Sequence, residues 1–228
     1  MHGFSHLKNV IAIDGPAGSG KSTTARMVAR KLGFTYLDTG ALYRALTLVG
    51  MERQANLSDG EALAQITRDS IFKIESTNDG ARVWVDGEEV TLAIRTPEVT
   101  KNVSLVSSHA AVRAEMVELQ RRIAQGGGFV VEGRDIGTVV FPKAKTKIFL
   151  NASVEARARR RMKEMQAHNG QADFEEIKKA IETRDWKDSN REHAPLKKAD
   201  DAHVVDTTAL TIDEQVDRII QVFSAAPK

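Results

Sequence analysis

The sequence predicts an α/β protein: a five-stranded parallel sheet with helices on both faces, interrupted by a smaller antiparallel subdomain. Three observations lead there. Short apolar runs alternate with stretches of helical spacing along most of the chain. The first apolar run opens into a glycine-rich turn and then a helix. Between residues 71 and 92 the alternation gives way to short strand-like runs joined by Asn/Asp-Gly turns.

The elements follow in order. Residues 1–9 hold two of the six histidines and read as a loose tail. Val10 to Asp14 is a short apolar strand. Residues 15–20 form the glycine-rich turn, and Ala25, Val28, Ala29 and Leu32 then recur on one face of a helix over 21–32. A second strand spans 34–38, and Thr39 is placed to cap a helix reaching Val49. Ser58 and Glu61 stand at capping-box spacing before a helix over 60–67. Residues 71–76 and 82–85 read as a hairpin around Asn78-Asp79-Gly80, and Asp86-Gly87 leads to a third strand over 88–92. A helical stretch over 100–124 breaks near Ser107-Ser108 and stops at the glycines 126–128. Strands follow at 129–131, ending in Glu132, at 147–151 and at 202–206, with helices at 153–167 and 174–190 between the last two. Thr211 and Glu214 make a capping box for a terminal helix to Ala225. The expected organisation is one unit over 10–228. Its core is 10–60 and 126–228, an insert spans 61–125 with its three-stranded meander at 71–92, and a helical lid spans 155–190.

Composition narrows the function classes. With 228 residues, 41% hydrophobic and 28% charged, the chain fits a globular protein rather than a disordered one. It has no cysteine, which excludes disulfides, thiolate metal sites and a cysteine nucleophile. No apolar run approaches the roughly 20 residues of a membrane span, and residues 1–8 lack the apolar segment of a secretory signal. A cytoplasmic protein is expected. The net charge of +2 and the two Trp and two Tyr argue against a nucleic-acid platform. The expected partners are small molecules, not nucleic acid or membrane, and a monomer is expected because nothing marks a long apolar seam.

Gly15-Pro16-Ala17-Gly18-Ser19-Gly20-Lys21-Ser22 satisfies G-x-x-x-x-G-K-[ST] between a predicted strand and a predicted helix. Glycines let the backbone wrap a phosphate with its N–H groups turned inward, and the helix N-terminus adds about half a positive charge. Lys21 is placed to bridge β- and γ-phosphates and Ser22 to ligate Mg²⁺. A dinucleotide fingerprint is disfavoured, because Thr23 stands where its third glycine belongs. No N-K-x-D base-reading motif of a GTPase is present. A small P-loop kinase remains, and it needs a basic acceptor pocket.

Three constellations can supply that pocket. Arg44 lies just beyond the second strand, on the edge where open α/β sheets bind ligands. Glu132-Gly133-Arg134-Asp135 follows an apolar strand, with Glu132 in the position of an acidic partner that holds a Mg²⁺-bound water. Arg184, Asp188 and Arg191 share one helix face by their i, i+4, i+7 spacing, a pattern that a solvated salt-bridged face also produces. The basic run Arg157, Arg159, Arg160, Arg161 and Lys163 reads either as one wall of a lid over ATP or as a solvated helix.

Taken together, the phosphate loop, the run Leu37-Asp38-Thr39-Gly40-Ala41-Leu42-Tyr43-Arg44, the run from Glu132-Gly133-Arg134-Asp135 to Phe141-Pro142, and Arg184-Asp185 through Arg191 resemble the bacterial cytidylate kinases over nearly the whole chain. The inserted meander is similar to the extended nucleoside-monophosphate domain of that type. The resemblance implies transfer of the ATP γ-phosphoryl group to CMP or dCMP with Mg²⁺. It implies that Gly15, Pro16, Ala17, Gly18, Ser19, Gly20, Lys21, Ser22 and Thr23 hold ATP phosphates and the metal, with Arg157 and Arg161 on the ATP side. Arg44, Arg134 and Arg191 then hold the CMP phosphate and the group in transfer. Ser104, Arg113 and Asp135 read the cytosine edge, Thr39 and Tyr43 line that pocket, and Arg184 and Asp188 contact the ribose. The family often has Ser at position 39 and Asp at 132; Thr39 and Glu132 keep the hydroxyl and the carboxylate. The alternatives are another small P-loop kinase, of shikimate or thymidylate type, and a non-catalytic nucleotide sensor or RNA-binding module using the Arg-rich helix.

Overall fold

The computed structural model describes residues 10–77, 80–167 and 173–226. The tail at 1–9, the hairpin residues Asn78 and Asp79, and His168 lie outside them. The elements are β1 (Val10–Asp14), α1 (Lys21–Leu32), β2 (Thr35–Asp38), α2 (Thr39–Glu52), α3 (Gly60–Asp69), β3 (Phe72–Thr77), β4 (Gly80–Val85) and β5 (Glu88–Glu89). A 3₁₀ turn (Ala93–Arg95) leads to α4 (Pro97–Val106), α5 (Ala110–Ile123) and β6 (Phe129–Gly133). A π-helical turn (Ile136–Val140), β7 (Thr146–Asn151), α6 (Val154–Ala167), α7 (Phe174–Asn190), β8 (His203–Asp206) and α8 (Ile212–Ala225) complete the chain.

All five predicted core strands join one parallel sheet in the order β2-β6-β1-β7-β8. β1 is central, and its five residues are all buried, as a strand covered on both faces must be. The carboxyl ends of β1, β2 and β6 lie side by side: Asp14 is level with Gly133, and Asp38 with Glu132. That register gathers the ends of three motif-bearing strands on one edge.

The two faces have separate cores. On one, Ile11, Ile13, Val28, Val130, Ile148 and Ile219 pack between the sheet, α1 and α8. On the other, Leu42, Leu46, Leu63, Phe72, Val83 and Met116 join α2, α3 and α5 to the β3-β4-β5 antiparallel sheet. A small satellite of Ala158, Ile177 and Ile181 holds α6 against α7.

Several local expectations are corrected. Asp38, not Thr39, caps α2 by accepting from the Ala41 N–H at 3.0 Å; a carboxylate reaches the orphan donor and leaves Thr39 free for another bond. Asp59 rather than Ser58 caps α3, accepting from Ala62, so the Ser58–Glu61 box does not form. The third meander strand is only two residues long, because the chain turns into the 3₁₀ helix that buries Ile94. The helix expected from residue 100 starts at Pro97, whose missing N–H and fixed φ suit a first turn, with Thr96 as its cap. The break at Ser107-Ser108 falls as expected between α4 and α5. The Thr211–Glu214 capping box is present in both directions.

Candidate active site

The glycine-rich turn wraps tightly at the end of β1. A side chain on Gly15 would lie 2.0 Å from the Leu150 carbonyl, and its φ of 149° is open only to glycine, so the loop hugs β7. Lys21 is buried, and its ammonium donates to the Pro16 carbonyl at 2.7 Å and to Ser19 Oγ at 3.4 Å. Burial, aided by the charges of Arg134 and Arg184 and opposed by Glu132 and Asp14, brings the Lys21 ammonium down to about 7. A buried ammonium beside guanidinium groups favours an arriving anion.

Arg157 braces this loop from behind. It is buried, donates to the carbonyls of Ala17 and Ala152 at 3.1 Å each, and pairs with Asp185 at 2.6 Å. Arg160, part of the basic run, donates to the Ser19 carbonyl at 3.4 Å and to Thr207 Oγ1 at 3.1 Å. Arg161 is exposed and pairs with Glu164 at 3.1 Å, yet its charge still bears on Arg44.

Glu132 is buried beneath the loop and accepts the hydroxyl of Tyr36. Burial raises the Glu132 carboxyl above the usual range, Asp38 adds to the rise, and Lys21, Ser22 and Tyr36 oppose it. Ser22, Asp38 and Glu132 thus form an all-oxygen set holding two carboxylates that repel one another. That donor chemistry suits Mg²⁺, which keeps several waters and takes one or two carboxylates beside substrate phosphates. The Thr39 hydroxyl donates to the Glu132 carbonyl at 2.7 Å, and this bond closes β2 against β6 at the mouth of the site. A side chain on Gly133 would meet Thr39 Oγ1 at 2.7 Å, so glycine is required for that closure.

Beyond β6 a second cluster of charged side chains assembles. Arg134 Nε donates to Asp188 on α7 at 2.8 Å. Burial alone would raise the Asp188 carboxyl, but Arg134, Arg184 and Arg191 outweigh it and hold it below its ordinary value. Arg184 is pressed down to about 10 by burial and then by Arg134 and Arg44. Arg44 donates to Thr100 Oγ1 at 2.8 Å and to the Ile94 carbonyl at 3.4 Å, which ties α2 to the segment following the meander.

Asp135 is 5% exposed. It is buried in an ion pair with Arg113, which also donates to the Ser107 carbonyl at 3.2 Å and stands 5.6 Å over the Tyr43 ring. Arg191 approaches the other Asp135 oxygen at 3.9 Å, while its Nη2 is buried without a hydrogen-bond partner. Burial, with Asp135 added, pushes the Tyr43 phenol up to about 12. Ser104 is half-buried on α4, one turn before the carbonyl that Arg113 bonds.

Most of the predicted residues sort into three groups, while Arg161 stands apart, exposed on α6. Lys21, Ser22, Arg157 and Glu132 surround the phosphate loop. Arg44, Arg134, Arg184, Asp188 and Arg191 converge beside it. Thr39, Tyr43, Ser104, Arg113 and Asp135 lie behind them. No role was read from the sequence for Asp38, Asp14 or Arg95. Asp14 ends β1 with a buried carboxylate, a signal visible as an acid directly before Gly15. Arg95, in the 3₁₀ turn, lines a cleft of ≈ 460 Å³ together with Ser22, Thr23 and Asp38. Only the packing of that turn against α2 reveals it.

The chain is similar to known proteins along most of its length. Cytidylate kinases of Geobacillus sp. and Enterococcus faecalis are 52% and 53% identical to the chain, over 93% and 90% of it and 95% and 91% of their own lengths. That of Lactobacillus johnsonii is 46% identical over 99% of the chain and 98% of its own. In three dimensions an uncharacterized protein from Eubacterium ventriosum superposes with a TM-score of 0.54 at 12% identity, over 96% of the chain and 99% of its own, a likeness of fold alone. The cytidylate kinase family model matches residues 11–225, which span the glycine-rich loop, the buried Arg113–Asp135 pair and the α7 face, and the chain belongs to that family.

Proposed function

We propose that the protein transfers the γ-phosphoryl group of ATP to CMP or dCMP, giving ADP and CDP or dCDP, in pyrimidine nucleotide metabolism. The observation that carries the reading is the buried Arg113–Asp135 pair. It sets a fixed donor and a fixed acceptor beside Tyr43, one strand away from the phosphate loop. A base edge with both an amine donor and ring acceptors, as in cytosine, satisfies such a pair.

The chain's residues then take these parts. Inward N–H groups of the loop and Lys21 hold the ATP phosphates. Ser22, with Asp38 and Glu132 through water, would hold Mg²⁺, which when bound neutralises charge between the phosphates. Arg44, Arg134 and Arg191 surround the acceptor phosphate and place positive charge on the equatorial oxygens of the group in transfer. The acceptor is a phosphate monoester and already a nucleophile, so no histidine base is needed. Arg184 and Asp188 contact the sugar, and Ser104 and Thr39 complete the pocket of Arg113, Asp135 and Tyr43. Residues 61–125 act as the acceptor domain and α6–α7 as a lid that excludes water.

The test is ADP release from Mg·ATP with CMP, dCMP, UMP, AMP, dTMP and shikimate as acceptors. Fast turnover with CMP and dCMP and much slower turnover with the others is expected. Turnover with another acceptor instead, or ATP binding with no turnover, overturns the reading.

A further inference from the structure

Asp14 is a buried carboxylate that the reaction outlined above does not use. It stands at the last position of β1, directly before Gly15 of the phosphate loop, and it is 4% exposed. Register places it level with Gly133 on β6. The chain leaving Gly133 passes Arg134 and Asp135 and then folds over the end of β1. There both Asp14 oxygens are occupied: Oδ1 accepts from the Ile136 N–H at 2.8 Å and Oδ2 from the Gly137 N–H at 2.7 Å.

Those two donors open a π-helical turn. Val140 N–H reaches back to the Asp135 carbonyl at 3.1 Å and Phe141 N–H to the Ile136 carbonyl at 2.7 Å. Such turns are rare, and they are frequent at functional sites. Their first N–H groups have no internal partner, as at any helix start. Asp14 satisfies two of them with one carboxylate. At the other end Arg121 donates to the carbonyls of Val139 and Val140 at 3.0 Å each. The turn is thus held at its start from the donor loop's own strand and at its finish from α5.

The geometry points to Asp14 as a positioning residue that fixes Arg134 and Asp135 relative to the phosphate loop, so that acceptor and donor phosphates meet in line. This rests on the proposed function for its substrates, not for its contacts. Burial raises the Asp14 carboxyl to about 6, against the two N–H bonds that lower it; Asp135 raises it further and Lys21 opposes. At higher pH it is ionised and can accept from both donors. An amide in its place turns one acceptor into an N–H donor aimed at a backbone N–H.

The experiment compares wild type with Asp14→Asn by hydrogen–deuterium exchange, by Mg·ATP binding and by steady-state kinetics with CMP and UMP. The expected variant is folded and binds Mg·ATP within about threefold of wild type, since a positioning role leaves uniform binding intact. Its amides at 134–140 exchange faster, its kcat with CMP falls by at least about tenfold, and its CMP-over-UMP ratio drops. A folded variant with unchanged kcat and ratio overturns the proposal, as does one whose main loss is in Mg·ATP binding, which would make Asp14 a prop for the donor loop. If Asp14→Asn does not fold, Gly137→Ala serves. Its new Cβ would approach Lys147 Cδ at 3.2 Å and Asp14 Oδ2 at 3.4 Å, displacing the turn slightly. It should lower kcat and the CMP-over-UMP ratio in the same direction, and unchanged values there also overturn the proposal. Wild type inactive with CMP fails the proposed function instead, and the exchange of 134–140 still decides the role of Asp14.

Discussion

Arg134 Nε meets Asp188 Oδ2 at 2.8 Å across 54 positions of sequence, joining the loop after β6 to the last turns of α7. Both side chains are mostly buried, at 20% and 13% exposure. The pair ties α7 to the loop that carries Arg134 and Asp135. Arg134→Ala is expected to lower kcat by ~10²–10³-fold, as removal of a transition-state donor does. Asp188→Ala is expected to raise KM and to shrink the difference between CMP and dCMP. Steady-state kinetics with both nucleotides check this, and unchanged values return the pair to a structural clamp.

Arg113 and Asp135 are both about 6–7% exposed, so neither charge is solvated by water. Removing one partner strands the other, at a cost of roughly 3–5 kcal/mol. Arg113→Met should therefore lower the denaturation midpoint markedly, and it should weaken CMP far more than ATP. Chemical denaturation combined with the two KM values separates these effects; a variant of wild-type stability would contradict the burial of the pair.

Lys21 near 7 makes nucleotide binding a proton-linked event. In the free protein the ammonium is protonated below that value and increasingly neutral above it. Bound phosphate anions favour the charged form and raise its pKa again. Binding above neutral pH therefore takes up a proton, and affinity for Mg·ATP falls as pH rises through and beyond 7. Titration calorimetry in buffers of different ionisation enthalpy should show uptake at pH ~8. Lys21→Met should show none, together with a severe loss of turnover.

Arg95 forms no ion pair among the described residues, and its charge adds to the depression of Arg44 that burial begins. It faces the Ser22 side of the cleft from the meander segment. An unpaired cation beside other cations is satisfied by an anion. Arg95→Ala should leave stability within about 0.5 kcal/mol, as for an exposed side chain, and lower kcat or raise the CMP KM by roughly tenfold. Arg82→Ala is the control. Arg82 lines the same cleft but is already engaged by Glu89 and the Trp84 ring, so its loss should change neither constant.

The sequence by itself determined the parallel sheet, its five strands and the motifs at their carboxyl ends. These depend on local information: apolar runs, helical spacing and a loop whose glycines are required by backbone geometry. It determined the residue types of the glycine-rich loop for the same reason. What only the tertiary structure decided is pairing. Whether Arg184, Asp188 and Arg191 formed a solvated face or a site turned on Arg134, which lies far off in sequence and reaches Asp188 through the packing of α7. The caps moved from Thr39 and Ser58 to Asp38 and Asp59, because the residue whose oxygen reaches the free N–H is settled by chain direction at the helix start. The π-helical turn has no apolar period to announce it. It exists because Asp14 and Arg121, remote in sequence, supply the hydrogen bonds its backbone lacks.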